Sequence, residues 1–284
     1  KIFISILAVA LFALCDSYLD TVPDNRMEID NSDKITKLLV SAYSTNSPVM
    51  LAELSSDNVL DNGAQYDVYG QNSMDAYLWK DETTEESDAI KNLWQGHYSA
   101  IASANQALEA IDKLGNPSSL NPQKGEALLC RAYAHFCLTN IFCQTYNFNT
   151  ASQVLGIPYM RRSVTEINPS DERGTLADTY ANIEKDILEG LPLIDDQIYT
   201  VPKYHFNKKA AYAFAARFYL YAQQWDKTIQ YANLVLGDDP RAKLRSWKSF
   251  SQLDTDWDTR TNAYVSAKEE CNLMLQTAVS SWPH

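Results

Sequence analysis

The chain has 284 residues, 45% of them hydrophobic and 11% aromatic, so it can bury a substantial core and is not a disordered polymer. Asp and Glu outnumber Lys and Arg by 36 to 24, and the resulting net charge of -12 repels a phosphate backbone, which excludes nucleic acid as a partner. Tyrosine leads the aromatics, 17 against 9 Phe, and supplies side chains with an apolar face and a polar edge.

Residues Ile2 to Leu14 form an apolar run, shorter than the ~20 residues of a membrane span and of the length of a signal-peptide hydrophobic region. Residues 1–14 are therefore read as a signal peptide, and the lack of an initiator Met implies a few residues before Lys1. The run ends in Phe12-Ala13-Leu14-Cys15 and turns polar at Asp16 and Ser17, which is similar to a bacterial lipobox, although Leu14 stands where a small residue is usual. Cys15 is thus the expected lipidation site and mature N-terminus, with acyl chains as a membrane anchor. Residues 15–30, polar and interrupted by Pro23, read as a tether, and 31–284 as one helical domain.

A first helix is predicted from a cap at Asn31 or Ser32, with Ile35, Leu38, Leu39 and Ala42 as its apolar stripe. From Ser55 to Lys80 the helical period is lost, and Asn, Asp, Gly63 and Gly70 alternate with Tyr66, Tyr69, Tyr77 and Trp79. Long irregular segments inside compact domains commonly carry function, so this is the candidate binding region. Periodicity returns from Glu85 to Lys113, with Leu93, Trp94, Tyr98, Ile101, Ala104, Leu108 and Ile111 on one face, and Gly115-Asn116-Pro117 stops it. An Ala-rich helix follows over 122–142, with Leu128, Leu129, Tyr133, Phe136 and Leu138 on its apolar side. Residues 144–173 read as loop, 175–191 as helix, and Pro192 and Pro202 bracket a further loop.

The last predicted pair, 207–223 and 225–236, carries aromatic Tyr212, small Ala216, Tyr219 and terminal Pro240 at the offsets of a tetratricopeptide repeat. The pairing of 94–111 with 126–142 is a degenerate relative. The fold class is accordingly all-α, a solenoid of tetratricopeptide-like helix pairs with long irregular loops, since stacked neighbours must bury one another's faces. No strand alternation with hairpin turns competes with it.

Catalytic and metal-site constellations are missing. There is no Gly-x-Ser-x-Gly elbow, phosphate-cradling Gly-rich loop, His-Glu-x-x-His helix or Cys-x-x-Cys pair, so neither enzyme activity nor a metal or other cofactor is expected. His135, among Tyr133, Phe136 and Cys137, reads as a satisfied core histidine, and Cys130 and Cys137 as small buried residues. The acid pairs Glu85-Glu86, Asp195-Asp196 and Asp238-Asp239 read as solvated rather than as the facing carboxylates of a glycosidase.

Several segments in order resemble the SusD/RagB family of outer-membrane lipoproteins. They are Cys15 with Tyr18-Leu19-Asp20 and Pro23; Leu93-Trp94-Gln95-Gly96-His97-Tyr98 with Ile101, Ala104 and Asn105; Glu126 and Arg131-Ala132-Tyr133; Gly156-Ile157-Pro158; and Ala210, Ala216, Tyr219, Tyr221, Trp225-Asp226-Lys227 and Tyr231-Ala232. The resemblance implies a surface-exposed, lipid-anchored, non-catalytic protein that captures a glycan and acts with a SusC-like TonB-dependent transporter. It also implies a longer chain, whose absent C-terminal part would complete the ligand surface and cover an apolar face exposed here. A peptide or glycopeptide ligand, or a pure transporter-lid or assembly role, are the alternatives. Sugar rings stack their C–H faces on aromatics and hydrogen-bond to amides. On composition alone, Tyr66, Tyr69 and Trp79 are the expected stacking residues, and Asn58, Asn62, Gln65 and Asn72 the hydrogen-bonding ones.

Overall fold

The structure, a computed structural model, describes residues 29–63, 70–163 and 171–280. The chain divides after Asp30 into a short leading unit and a large one. Of the first only residues 29 and 30 are described, so the signal peptide, Cys15 and the tether lie outside the described residues. The described part of the large unit is helical, with short 3₁₀ turns and a single isolated bridge between Leu155 and Thr175. None of its helices is long and apolar enough to cross a membrane.

Helix α1 (Ser32–Leu39) starts where expected, because the Asn31 side chain accepts a hydrogen bond from the Lys34 amide at 3.0 Å. It buries Ile35 and Leu39, with Ala42 on the following 3₁₀ turn, while Leu38 is only partly covered. Helix α2 (Val49–Leu54) precedes the 55–80 segment and was not expected, and α3 (Gln71–Tyr77) corrects the reading of that segment as irregular throughout. Both are too short to show a 3.6-residue period against the polar residues around them.

Helix α4 (Ile90–Lys113) begins five residues later than the periodicity implied. The Glu82 carboxylate accepts the Ile90 amide at 2.5 Å, satisfying the first turn from outside the helix, so residues 82–89 stay in an irregular polar segment. At the other end Gly115 takes a left-handed φ of +82° and the Asn116 amide returns to the Ile111 carbonyl at 3.0 Å, the predicted stop.

Helix α5 (Asn121–Phe142) is the axis of the molecule, lying against both α4 and α6 (Leu176–Gly190). The sequence implied one apolar side; the structure buries nearly the whole circumference, polar Glu126, Arg131, His135 and Thr139 included. α5 and α6 meet backbone to backbone: a Cβ on Gly125 would stand 2.9 Å from the Gly190 carbonyl oxygen, and one on Gly190 3.0 Å from that of Gly125. Helix α6 is held at its start by a reciprocal capping box between Thr175 and Asp178.

Helices α7 (Lys208–Tyr221) and α8 (Trp225–Leu236) form the expected tetratricopeptide-like pair. Tyr219 and Tyr231 stack with ring centroids 5.4 Å apart, and Glu184 on α6 accepts from Tyr219 Oη at 3.0 Å and from Lys227 Nζ at 2.8 Å, joining three helices. Phe136 of α5 meets Phe214, Phe218 and Tyr221 edge-on. Beyond α8 lie α9 (Trp247–Ser251) and α10 (Trp257–Tyr264), and then an irregular strap. The Leu275 amide bonds the Lys203 carbonyl at 2.8 Å and the Val279 amide the Thr45 carbonyl at 2.9 Å, so the strap runs back to the residues just after α1.

Two buried polar clusters on α5 organise these elements. Arg131, 7% exposed, makes a two-pronged contact with Asp186, both N···O distances 2.7 Å, and donates to Asn105 Oδ1 at 2.9 Å. Asn105 in turn donates to the Met160 and Arg162 carbonyls, and Tyr159 Oη donates to Asp186 at 2.6 Å. One turn earlier, fully buried Glu126 accepts from Tyr43 Oη at 2.6 Å, Tyr199 Oη at 2.8 Å and His205 Nδ1 at 2.8 Å. Burial, reinforced by this carboxylate, pushes the Tyr43 and Tyr199 phenols far above their ordinary range, so they remain donors.

His135 is the satisfied core histidine expected: Nδ1 lies 2.8 Å from the Arg131 carbonyl, Nε2 accepts the Met160 amide at 3.1 Å, and the ring stacks on Tyr159 at 3.8 Å. Nε2 must be unprotonated to accept, and burial lowers the pKa to about 3. Cys130 and Cys137 are buried and unpaired, their thiols pushed up by burial, Cys137 to about 11.

Removing the cation with Arg131→Met leaves the Asp186 carboxylate buried without its partner and should lower the unfolding free energy by about 3–5 kcal/mol. Urea melts at unchanged slope check this, and adding Asp186→Leu should restore much of the loss. Below its ordinary pKa of about 6.5 His135 takes up a proton in the unfolded chain but not in the folded one, so stability is complete above that pH and falls as pH descends toward about 3. Between pH 7.5 and 5 the loss should be ~2 kcal/mol. His97, lowered by burial, adds in the same direction. Denaturant titrations across this range should show the slope, and His135→Gln should flatten it.

Candidate functional site

Residues 55–63 and 70–88 form a polar cap built on α2 and α3. Ser55 Oγ donates to the Ala76 carbonyl at 3.2 Å, tying the end of α2 to α3. Asp75, 4% exposed, accepts from Gln71 Nε2 at 2.7 Å and Thr83 Oγ1 at 3.3 Å, which seats α3 on the segment leading to α4. The Asp61 amide bonds Tyr77 Oη at 3.3 Å, and Asp61 Oδ1 accepts the Gly63 amide at 2.7 Å, so the 57–63 loop is pinned to the same helix. Burial pushes the Glu82 carboxyl up, and the nearby Asp75, Asp88 and Glu86 carboxylates add to that, while its bond from the Ile90 amide acts the other way.

The seven residues singled out for binding fall into three groups. Gln65, Tyr66 and Tyr69 lie outside the described residues. Asn58 and Asn62 are exposed on the pinned loop, and Trp79, 80% exposed, stands at the end of α3. Asn72 is 4% exposed and accepts from Thr84 Oγ1 at 3.3 Å, so the structure places it under α3 as a support, away from the open surface.

Trp79 is the most unusual of them. The Lys80 amide bonds the Asp75 carbonyl at 2.8 Å and the Trp79 amide that of Ala76 at 3.2 Å, the paired bonds that close a helix through one left-handed residue. α4 closes in the same way with Gly115, and α7 with Gln223 at φ +60°. At the end of α3 the residue is a tryptophan with φ +54°. A bulky aromatic there is a strained residue in a position that glycine usually takes. Leu60, 78% exposed, and Leu78, 46% exposed, are the other large apolar side chains exposed on the same cap.

Sequence reasoning missed two other surfaces. Trp94 and Tyr98, assigned by periodicity to the core face of α4, are only partly buried and line an open cleft of about 340 Å³ against residues 158–162. Trp225, Trp247 and Trp257 are 58%, 63% and 60% exposed on the α8–α10 side. For Trp94 and Tyr98, amphipathic spacing gave no way to tell a covered stripe from an open one. Among the described residues no group of His, Cys, Asp and Glu is arranged to hold a metal ion.

Helix pairs stacked about a buried central helix define a tetratricopeptide-like scaffold that carries irregular, aromatic-bearing loops at its surface. Residues 17–220 match the model of a SusD-like family described as starch-binding and associating with the outer membrane, and the chain belongs to that family. It is similar to a SusD superfamily protein from Bacteroides thetaiotaomicron VPI-5482, at 19% identity and TM-score 0.58 over 78% of this chain and 49% of that one. It is likewise similar to a SusD-like carbohydrate-binding protein from Bacteroides vulgatus ATCC 8482, at 19% identity and TM-score 0.58 over 80% and 49%. A laminarin-binding SusD-like protein matches at 20% identity and TM-score 0.53 over 73% and 44%. The chain therefore spans about half the length of these relatives. A comparison with curated proteins finds no match.

If the left-handed conformation of Trp79 is strained, glycine should relieve it. Trp79→Gly is expected to raise stability by about 1 kcal/mol, the cost of holding an L-residue left-handed. Denaturant melts of the two proteins provide the measurement.

Proposed function

We propose that this protein is a non-catalytic, glycan-binding lipoprotein of the outer-membrane surface, which captures oligo- or polysaccharide and delivers it to a SusC-like TonB-dependent transporter. The observation that carries the reading is Trp79, a large aromatic held exposed in a strained backbone conformation on a firmly buttressed helix. A sugar ring would lay its C–H face on the indole, with the amides of Asn58 and Asn62 meeting its hydroxyls. Tyr66, Tyr69 and Gln65, from the adjoining segment, are proposed to complete the surface, and Cys15 to carry the lipid anchor. The family description as starch-binding, and the laminarin-binding relative, point to glucose polymers as the first ligands to try. The non-catalytic reading is supported by the engagement of His97, His135, His205, Glu126 and Asp186 in fixed structural bonds.

Affinity electrophoresis through gels containing soluble starch or laminarin, with reducing ends assayed in the same samples, tests this. The expected result is retardation by one polymer without release of new ends, weakened about tenfold by Trp79→Ala, the equivalent of ~1.4 kcal/mol. Release of reducing ends would overturn the non-catalytic reading. Unchanged retardation of the variant would remove Trp79 from the site, and retardation by no glycan would transfer the case to a peptide ligand.

A further inference from the structure

Two buried histidines are set alike on neighbouring helices and differ at one atom. His135 Nδ1 lies against the carbonyl four residues back, and its Nε2 accepts the Met160 amide. His97 on α4, 2% exposed, repeats the first contact, with Nδ1 2.8 Å from the Leu93 carbonyl. A carbonyl only accepts, so Nδ1 carries the proton, and burial lowers the His97 pKa, which leaves Nε2 as a bare lone pair. No donor among the described residues reaches it. The unpartnered side-chain atoms that are fully sealed among those residues belong to Glu82, Gln123, Ser163 and Asp171, so His97 Nε2 keeps open contact with the cavity that its ring lines.

That cavity, of about 140 Å³, lies between α4, α5 and the turn 44–48, and strap residues 276–278 form its outer wall. Its walls are fixed. Gly96 lets the turn lie directly on α4, since a Cβ there would overlap Asn46 Oδ1, and Tyr133 is held edge-on by Phe206 and Phe214. The strap is bonded on both sides of its crossing, by the Leu275 amide to Lys203 and by the Val279 amide to Thr45. Donors on the inner walls are already used: Tyr43 Oη on Glu126, Ser44 Oγ on the Asn46 carbonyl, Asn46 Nδ2 on the Ser87 carbonyl, and the Cys130 and Cys137 thiols with Tyr43 and Tyr133. What remains at the His97 end is apolar space around one strong acceptor. A buried water keeps about two to four polar partners, so water is poorly served there.

We propose that this cavity is a binding site for a small neutral aromatic alcohol, a single-ring phenol, whose hydroxyl donates to His97 Nε2 and whose ring lies beside Tyr133 and the Cys130 and Cys137 thiols. A cavity of about 150 Å³ accepts a benzene ring, so the size fits. None of the lining residues is an acid, a lysine or an arginine, so a carboxylic acid or an amine would enter at an unrelieved desolvation cost. A sugar, with a hydroxyl on nearly every carbon, would leave most of them unpaired against these walls. The site is therefore independent of the glycan reading.

The test follows the imidazole nitrogens of His97 and His135 by NMR in one sample, with His97 assigned by its His97→Gln variant. The chain is titrated with phenol, with anisole, which keeps the ring and the oxygen but has no O–H, and with benzene. Phenol should shift His97 Nε2 saturably, anisole and benzene should bind at least about tenfold more weakly, and His135, whose Nε2 is already engaged, should not move. In His97→Leu, saturation-transfer signals from the ligands should show phenol losing its preference over anisole. The comparison of phenol with anisole in the unsubstituted chain stands whether or not that variant folds. A His97 resonance that none of the three moves would mean a cavity holding water only, and would overturn the site. Anisole or benzene acting as well as phenol would make it a plain apolar cavity and defeat the role given to His97. Movement of His135 together with His97 would mark a general loosening of the core and would equally defeat the inference.

Discussion

Arg131 is the group around which the rest of the chain is arranged. Its guanidinium is buried on the central helix and divided between Asp186 on α6 and Asn105 on α4, so three helices share one cation. A buried ion pair of this kind contributes little net stability against a well-packed apolar alternative, but it tolerates almost no change of register. The same network extends through Asn105 and Tyr159 to residues 157–163, which have no regular structure to hold themselves. Glu126, just over one turn away, does the equivalent for the residues after α1 and for those around 199 and 205. α5 thus positions loops as well as helices.

That arrangement bears directly on function. A binding surface made of irregular segments needs a rigid support, because loops ordered only on binding would lose affinity to the entropy of their ordering. Here the polar cap of residues 70–88 is stiffened by its own buried carboxylate and amide, Asp75 and Asn72, while the 158–162 wall of the α4 cleft is tied to α4 and α5. Trp79, Asn58 and Asn62 stand exposed on the first of these surfaces, while Arg162 and Asp171 are paired with each other at 3.6 Å beside the second.

The histidines and buried carboxylates follow the same logic in reverse. In an enzyme they would be poised near neutrality and open to substrate. His135 instead accepts a backbone amide deep in the core, with its pKa depressed to about 3, and Glu126 and Asp186 each accept several bonds from fixed donors. Their chemistry is consumed by the architecture.

The sequence by itself determined the helices whose ends are written locally: Asn31 before α1, Gly115 after α4, Thr175 and Asp178 at α6, Asn207 before α7. Capping and periodicity act over a few residues, so they can be read from a single chain. It also determined the tetratricopeptide-like pairing of α7 and α8 and, through an ordered series of motifs, the family. Only the tertiary structure decided that α4 starts at Ile90, because the capping carboxylate of Glu82 lies eight residues away, and that α5 is buried all round, because that depends on what packs against each face. It alone separated Asn72, which supports, from Trp79, which is displayed; loop composition ranks both alike. It alone opened the cleft beside Trp94 and Tyr98. Whether an amphipathic stripe is covered or left exposed is a property of its neighbours, and those are chosen by contacts far apart in sequence.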